Sequence, residues 1–303
     1  MNGLPTLSLA SLALPPVIAP VDYEVLLADI VVEFKQRWAA ARVAQPELPD
    51  YDVQLLEYDP AKIVLESAAY IYTLALARVN DASRGLMLAT ATGADLDHFG
   101  ADFGLPRQVL TPQGENQPLV MEGDAAYRNR RYLAPEGYAA AGPQDAYRFF
   151  ALSADPSIKE AVAVKGADNR VDLVLLSRVG DGTVADALVG KVHEALSPRT
   201  VRPLTDALYV RSADIVPVTI RVMLSVPYGP DRTAVQQKAL AGISAYAGAR
   251  HAIGQILRLD GISAAARDGN AVEAVDIIEP AGHVDPGRFG AVHVSSIIVE
   301  VTA

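Results

Sequence analysis

The chain has 303 residues, of which half are apolar and 20% are charged, and its formal net charge is −10. Because single domains usually run to about 100–200 residues, we expect two or three folded domains and exclude wholesale disorder. The acidic balance disfavours nucleic acid and anionic membranes as partners, and the absence of cysteine excludes disulfides, thiolate metal sites and cysteine nucleophiles.

The first 20 residues are predicted to form an extended arm. They are apolar, but no lysine or arginine precedes Lys35, so the basic start of a signal peptide is missing. Four prolines also oppose a helix here: Pro5, Pro15, Pro16 and Pro20. Such an arm either packs on its own domain or lies on a neighbouring protein.

A first helix is predicted over Val21–Ala44. Its apolar residues recur at every fourth position, as expected for one buried helical side: Leu26, Ile30, Phe34 and Trp38. Asp22 stands at the N-cap position, where a carboxylate accepts hydrogen bonds from the first free amides. The proline-containing stretch 45–49 ends this helix.

A second helix is predicted from Pro60 to about Gly85, with Asp59 as its cap. The alanine and serine residues along one side of it would let another helix approach closely. This side is traced by Ile63, Ser67, Ile71, Leu74 and Arg78, with Val64, Ala68, Ala75 and Val79 beside them. This helix belongs to a predicted helical domain over residues 21–112.

A third helix is predicted to begin at Asp95, which we interpret as its N-cap, and to end at Gly104 and Pro106. Its inner face would consist of Leu96, Phe99 and Phe103. Asp95, Asp97 and His98 look like a catalytic cluster, but a cap and a first-turn carboxylate favoured by the helix dipole explain both acids without chemistry.

Beyond a boundary at Leu110–Pro118 the pattern changes to mixed α and β structure. In the predicted middle domain, residues 113–206, a short helix precedes two strands and a helix capped by Thr183: Asp145–Leu152, Ile158–Val164, Val171–Val179 and Thr183 to about Leu196. The fold class is therefore α+β, with a helical N-terminal domain followed by two small α/β sandwich domains.

The predicted C-terminal domain, residues 207–303, has a β-α-α-β-β order. Its clearest element is Val216–Val226, in which every second residue is apolar, as in a strand with one buried face. A turn at Tyr228–Pro230 and a helix capped by Asp231 follow. The remaining predicted elements are a helix at Ile253–Ala266 and strands at Val272–Ile278 and Val292–Val301.

A search for catalytic motifs yields two weak candidates. His283 and His293 flank a loop with Asp285, which is more typical of solvated surface than of a zinc site. The turn Gly180–Ala185 follows a strand and opens a helix, as a dinucleotide-binding fingerprint would. The favoured interpretation is a tight turn, because Asp181 would place a carboxylate where the pyrophosphate should lie; a nucleotide- or NAD-dependent enzyme remains the alternative.

Several collinear segments carry a family resemblance: Leu55–Pro60, Arg78–Ala82, Leu86–Leu88, Ala91–Asp97, Phe103–Arg107, Tyr127–Arg130, Ala141–Pro143 with Tyr147, Ala151–Ala154 and Val201–Asp206. Their order resembles the baseplate J-like proteins, which are wedge components of contractile phage tails and of related injection particles such as R-type pyocins. The resemblance covers about Leu55–Val226.

The resemblance implies a structural protein of a six-fold baseplate, which links hub, sheath and outer baseplate and rearranges on contraction. It implies no enzyme activity, catalytic residue, cofactor, metal or small-molecule substrate. The implied partners are other wedge proteins, a second copy of the chain, and hub, spike and sheath proteins, without nucleic acid or membrane. The particle would assemble in the bacterial host cytoplasm, and the protein would reside in the virion or tail baseplate.

The resemblance also sharpens two expectations about contacts. The arm Met1–Pro20 is expected to lie partly on a partner. Arg107, Arg130 and Arg202 are candidates for fixed ion pairs between domains or subunits, because a guanidinium group holds bidentate geometry. The alternative for each arginine is a solvated position on the surface.

Overall fold

A computed structural model describes residues 12–49, 59–114, 117–139, 142–167, 170–198, 201–203, 206–227, 231–267 and 271–302. Contacts divide the chain into two compact units, Met1–Ala101 and Asp102–Ala303. The first unit is helical and the second combines small sheets with helices, which confirms the predicted α+β fold class. The finer division of the chain at residues 20, 112 and 206 stays a prediction.

The described part of the first unit contains three helices: α1 (Tyr23–Ala44), α2 (Pro60–Gly85) and α3 (Gly93–Ala101). The two predicted caps of the long helices are confirmed, since the carboxylates of Asp22 and Asp59 accept hydrogen bonds from amides in the first turns of α1 and α2. No helix in the described part of the chain is long and apolar enough to cross a membrane.

The prediction that Asp95 caps α3 is wrong. The helix already begins at Gly93, so Asp95 lies inside the first turn, where the helix dipole also favours a carboxylate. Its Oδ2 atom lies against Gly85, where an added Cβ atom would be only 2.6 Å away. The absence of a side chain at Gly85 therefore lets α3 pack closely against the end of α2.

The side of α2 that was predicted to pack against another helix is exposed. Ile71 is 66% exposed, and Ile63 and Leu74 are 51% and 52% exposed. The fully buried residues of α2 are Ala69 and Asn80. We refer to the exposed residues Ile63, Val64, Tyr70, Ile71 and Leu74 as the α2 apolar face.

The end of the predicted arm is held by a side chain of α2. Asn80 donates from Nδ2 to the carbonyl oxygen of Ala19 at 2.7 Å, and its Oδ1 accepts from the Ala19 amide at 3.3 Å. These paired bonds fix the point at which the arm enters α1. Residues 1–11 of the arm and residues 50–58, which include most of the Leu55–Pro60 segment, lie outside the described residues.

The second unit contains fourteen described elements, here in chain order: β1 (Val109–Thr111), β2 (Val120–Met121), α4 (Asp124–Leu133), a 3₁₀ helix (Ala134–Tyr138), α5 (Gln144–Ala154), β3 (Ile158–Lys165), β4 (Arg170–Ser177), α6 (Asp186–Leu196), β5 (Ala207–Ser212), β6 (Asp214–Ser225), α7 (Arg232–Arg250), α8 (Leu259–Ala266), β7 (Ala274–Glu279) and β8 (Gly290–Thr302). The order β6-α7-α8-β7-β8 confirms the order predicted for the last third of the chain.

Two three-stranded sheets organise this unit, and each has one antiparallel and one parallel pairing. In the order β3-β4-β5, the central β4 pairs antiparallel with β3 and parallel with β5, so α6 forms the crossover. In the order β7-β6-β8, the central β6 pairs antiparallel with β7 and parallel with β8. Alternate residues of β6 are buried, as its sequence predicts: Val218, Ile220, Val222 and Leu224.

The two sheets are joined by a small apolar cluster. Val174 and Leu176 of β4 lie in it with Ala213, Ile253 and Ala291 from the last third of the chain. Larger clusters lie on either side, one between β6 and the helices α7 and α8 and the other around β3, β4 and α5. Because β4 and β8 each contribute residues to two of these clusters, the clusters are linked within the compact unit of residues 102–303.

Some element predictions require correction. Thr183 does not cap α6, because the helix begins at Asp186 with Ala185 at the cap position and Thr183 stands two residues too early. Of the helix predicted at Ile253–Ala266, only Leu259–Ala266 is helical. Ile253 and Leu257 instead form β-bridges to Ala291 and Val284.

The sequence pattern also missed five elements: β1, β2, α4, the 3₁₀ helix and β5. Part of the boundary predicted at Leu110–Pro118 is thus ordered as a hairpin. The turn predicted at Tyr228–Pro230 lies outside the described residues.

The close approach of α7 and α8 leads to a stability prediction. A Cβ atom at Gly242 would lie 2.2 Å from the backbone carbonyl oxygen of Ala265, so Gly242→Ala should lower the free energy of unfolding by about 1–3 kcal/mol. Gly248 lies in the same helix with nothing within 4 Å of such an atom, and Gly248→Ala should be neutral or stabilise by up to about 1 kcal/mol. Urea denaturation of both variants checks this, and equal destabilisation would contradict it.

Candidate interaction sites

Arg130, a predicted contact residue, is buried on α4 and paired with Glu122. Its Nη2 lies 2.6 Å from Glu122 Oε2 and its Nε lies 3.2 Å from Oε1, with side-chain exposures of 4% and 3%. Nη2 also donates to the carbonyl oxygen of Pro106 at 2.7 Å. Two charges withdrawn from water need such complete pairing, so Arg130 is not a solvated surface arginine.

Arg107 reaches the same region from the segment before β1. Its Nη1 donates to the carbonyl oxygen of Glu122 at 2.8 Å, and its Nη2 lies 2.7 Å from Asp124 Oδ1. The guanidinium carbon stands 4.7 Å from the ring centroid of Tyr127, whose hydroxyl donates to the Leu105 carbonyl at 2.5 Å. Arginines 107 and 130 therefore hold the segment 105–107 against the start of α4.

Glu122 is the residue of this network that sequence reasoning missed. It follows the apolar run Leu119–Met121 and precedes Arg130 by eight positions. An acid directly beside an apolar run, with an arginine on the next helix, is the signal that could have indicated a buried pair. The spacing alone did not show that Glu122 and Arg130 meet.

Arg202 takes part in a second network. Its Nη1 donates to the carbonyl oxygen of Asp206 at 2.7 Å, and Asp206 Oδ2 accepts from the buried Tyr147 hydroxyl at 2.6 Å. Burial, together with this bond to a carboxylate, raises the pKa of Tyr147 well above its usual value. Gly142, with φ of 63°, lies so close to Pro203 that an added Cβ would be 2.5 Å from the ring.

Four of the segments that carry the family resemblance thus meet in two pairs. Phe103–Arg107 contacts Tyr127–Arg130 in the first network. Part of Ala141–Pro143, with Tyr147, meets part of Val201–Asp206 in the second; Ala141, Leu204 and Thr205 lie outside the described residues. All of these contacts lie within the second unit, and a role for the three arginines between subunits stays a prediction.

The turn at Gly180–Ala185 lies between a strand and a helix of a βαβ unit, as a nucleotide-binding turn does. Its backbone amides, however, are not available to bind a phosphate. The amide of Gly182 donates to the Val179 carbonyl, that of Thr183 to the Asp181 carboxylate, and that of Val184 to the Ser212 hydroxyl. Hydrogen bonds from Thr183 hold the pKa of Asp181 below its usual value, so this carboxylate is charged. These amides are therefore already used, beside a negative charge that would repel a pyrophosphate.

The histidine loop shows no metal-binding geometry. The Nδ1 atom of His283 accepts from the Leu259 amide at 3.0 Å, and Asp285 accepts from the Gly287 amide at 2.8 Å. Among the residues that the structure describes, no group of three or more His, Cys, Asp or Glu side chains could hold a metal ion. Both side chains therefore serve to shape the loop.

Comparisons with known proteins agree with this structural character. Residues 57–114 match the family model described as the Baseplate J-like N-terminal domain. Over 283 residues the chain is 33% identical to "Baseplate protein J" of Escherichia phage P2, across 91% of this chain and 90% of that protein.

A solved structure gives a more distant match. In the 6-fold symmetrised cryo-EM structure of the anti-feeding prophage baseplate, one chain aligns with a TM-score of 0.42 and 13% identity. The alignment covers 62% of this chain and 47% of that chain, so it spans about half of the length of that chain. A likeness at this level carries no inference about partners.

The buried pair allows a test of whether burial, and not the distance between the charges, determines how much an ion pair stabilises the fold. Arg130→Met should lower the free energy of unfolding by about 3–5 kcal/mol, because Glu122 would be left charged and unpaired in the interior. The double variant Glu122→Leu/Arg130→Met should recover part of that loss.

The matched control is the half-exposed pair between Arg221 and Glu300, which has the same 2.6 Å separation between Nη2 and a carboxylate oxygen. Arg221→Ala should cost less than about 1 kcal/mol. Chemical denaturation of the variants measures all of these differences. Equal losses for Arg130→Met and Arg221→Ala would show that burial does not set the strength of the first network.

Proposed function

Because the chain belongs to the baseplate J-like family and is a structural component of the tail baseplate of a virion, we propose that it serves there as a wedge subunit. In this role it links hub, sheath and outer baseplate and rearranges when the tail contracts. The observation that carries the proposal is the 33% identity to Baseplate protein J over nine tenths of both chains. Its partners are other wedge proteins, a second copy of the chain, and the hub, spike and sheath proteins.

The exposed surface of the first unit supports contact with other subunits. The α2 apolar face presents five large apolar side chains to solvent, three of which are Val64, Tyr70 and Ile71 at 66%, 58% and 66% exposure. Exposed apolar patches of this kind mark protein interfaces in soluble proteins. The described residues of this unit do not cover the face, so a neighbouring subunit supplies the apolar contacts that would bury it.

The arm is proposed to contribute to the same assembly. The Asn80 bonds hold it at Ala19, which leaves the apolar residues before this point to lie partly on a partner. In contrast, Arg107, Arg130 and Arg202 are proposed to fix the junctions between segments of the chain, because their described partners belong to this chain.

The protein is proposed to act without catalysis or a cofactor. The amides of residues 182–184 are bonded within the chain, and no described contact favours the alternative of a nucleotide-dependent enzyme at Gly180–Ala185. The work assigned to this protein is the formation and reorganisation of interfaces.

Coexpression with the tail proteins encoded beside it tests the proposed role. The full chain should copurify with neighbouring baseplate proteins as one discrete complex of fixed stoichiometry, measured by light scattering and native mass spectrometry. Failure to copurify with any of the hub, sheath and wedge proteins would refute the wedge assignment.

The α2 apolar face gives a residue-level prediction. Ile71→Glu should leave the folding of the isolated chain unchanged, because the side chain is already exposed, but should reduce incorporation into the complex by about 10-fold or more. Ile71→Leu keeps the apolar character and should assemble normally. Native gels of coexpressed complexes, with circular dichroism of the free chains, make the comparison. Normal assembly of Ile71→Glu would exclude this face as a contact.

A further inference from the structure

We propose that the second unit contains an oxyanion-binding site in the cavity between its two sheets. The cavity has a volume of about 450 Å³ and is lined by four basic side chains, Lys159, Arg178, His251 and His293. Lys159 comes from β3 and Arg178 follows β4, whereas His251 follows α7 and His293 lies in β8. The fold thus brings basic groups from both sheets to one concave surface.

The positions of these groups are fixed by bonds to the backbone. Lys159 Nζ donates to the carbonyl oxygen of His251 at 2.6 Å, and His251 Nδ1 donates to the Val292 carbonyl at 2.8 Å. The two imidazole rings meet edge to face with centroids 5.5 Å apart. Arg178 is held through Nε, which donates to the Pro156 carbonyl at 3.1 Å. Lys159 and Arg178 use one bond each to the chain and have further donors to offer a ligand.

The basic groups of the cavity lack the ion pairs that six arginines of the second unit form. Six arginines of the second unit form ion pairs with carboxylates: Arg107, Arg130, Arg148, Arg170, Arg211 and Arg221. Within the described ranges, no carboxylate lies at ion-pairing distance from any of the four cavity groups. In a chain of net charge −10, four neighbouring basic groups without an ion-paired acid are suited to bind an external anion.

Two carboxylates interact electrostatically with the cavity groups from beyond ion-pairing distance, and each already accepts a hydrogen bond from a backbone amide. Glu160 accepts from the Ile253 amide at 2.9 Å, and Asp181 accepts from the Thr183 amide at the same distance. Asp181 attracts the protonated forms of both cavity imidazoles, whereas Glu160 acts on Lys159. Neither acid closes an ion pair with the cavity groups, so the positive charge there is only partly balanced.

The protonation of the cavity should respond to a bound anion. Burial lowers the pKa of His251, and the positive charges of Lys159 and His293 lower it further. Burial likewise lowers the pKa of Lys159, with a contribution from Arg178. A bound anion offsets the repulsion between the positive charges of the cavity and so favours the protonated imidazole of His251. We therefore expect anion binding to take up protons and to strengthen as the pH falls.

The basic lining of the cavity, and not its size, selects the class of ligand. A volume of about 450 Å³ accommodates a phosphate ion or a carboxylate side chain, both of which accept charge-assisted hydrogen bonds from lysine and arginine. The shared chemistry is an oxyanion, and it has two possible sources: a free phosphate or an acidic side chain of another protein.

Isothermal titration calorimetry on the full chain tests the site with two probes, inorganic phosphate and an acetylated, amidated tri-glutamate peptide, at constant ionic strength. We expect one probe to bind near pH 6. The carboxylates of the peptide stay ionised between pH 6 and pH 8, so binding of the peptide should be about 10-fold tighter near pH 6, where imidazole protonation adds positive charge to the cavity. Phosphate gains negative charge over this range and is compared near pH 6 alone. Binding of phosphate identifies a free oxyanion, and binding of the peptide alone identifies a side chain as the ligand. No heat from either probe up to about 10 mM near pH 6 would overturn the proposal.

Variants distinguish a defined site from general attraction to positive charge. Arg178→Ala and His293→Gln should each weaken binding by about 10-fold, since each removes a donor from the cavity. Arg232→Ala changes the net charge by the same amount as Arg178→Ala, at the exposed start of α7 outside the cavity, and should bind like the parent chain. Equal weakening by Arg232→Ala and Arg178→Ala would refute a specific site, and circular dichroism confirms that each variant is folded.

Discussion

The buried ion pair between Arg130 and Glu122 is the constraint on which the start of the second unit depends. Two charges with about 4% exposure are stable in the interior only when their donors and acceptors are satisfied together. Glu122 meets this condition by accepting from Arg130 and from the Gln108 amide, and Arg130 by bonding to Pro106 as well. The segment 105–108, the β1–β2 hairpin and α4 are consequently held in one arrangement, since a shift of any of them would leave a buried charge unpaired.

The segments that resemble the baseplate J-like family have an internal role in this fold. Four of them meet as two networks, one around Arg130 and one around Asp206, and each network joins parts of the chain that are distant in sequence. These residues make contacts within the chain, whereas the surface proposed to contact other subunits lies elsewhere. The α2 apolar face is the clearest of these surfaces, and it carries neither a buried charge nor a fixed hydrogen bond.

Local features of the structure could be predicted from the sequence, and features with distant partners could not. The caps at Asp22 and Asp59 and the alternation along β6 depend on neighbours within a few positions. Thr183 failed as a cap because the Val184 amide is bonded to Ser212 of β5 and the helix begins only at Asp186. The helix predicted from Ile253 failed for the same reason, since the Ile253 amide is bonded to Glu160, 93 positions away.

The α2 apolar face and the cavity were missed for a further physical reason. Periodicity shows which residues share a side of a helix, but it does not show whether the chain itself supplies the surface that covers that side. The described part of α2 buries only Ala69 and Asn80, whereas the described part of the second unit contains several apolar clusters. If the proposed function holds, the α2 apolar face is buried against another chain, so that burial of this face and entry into the assembly are one process.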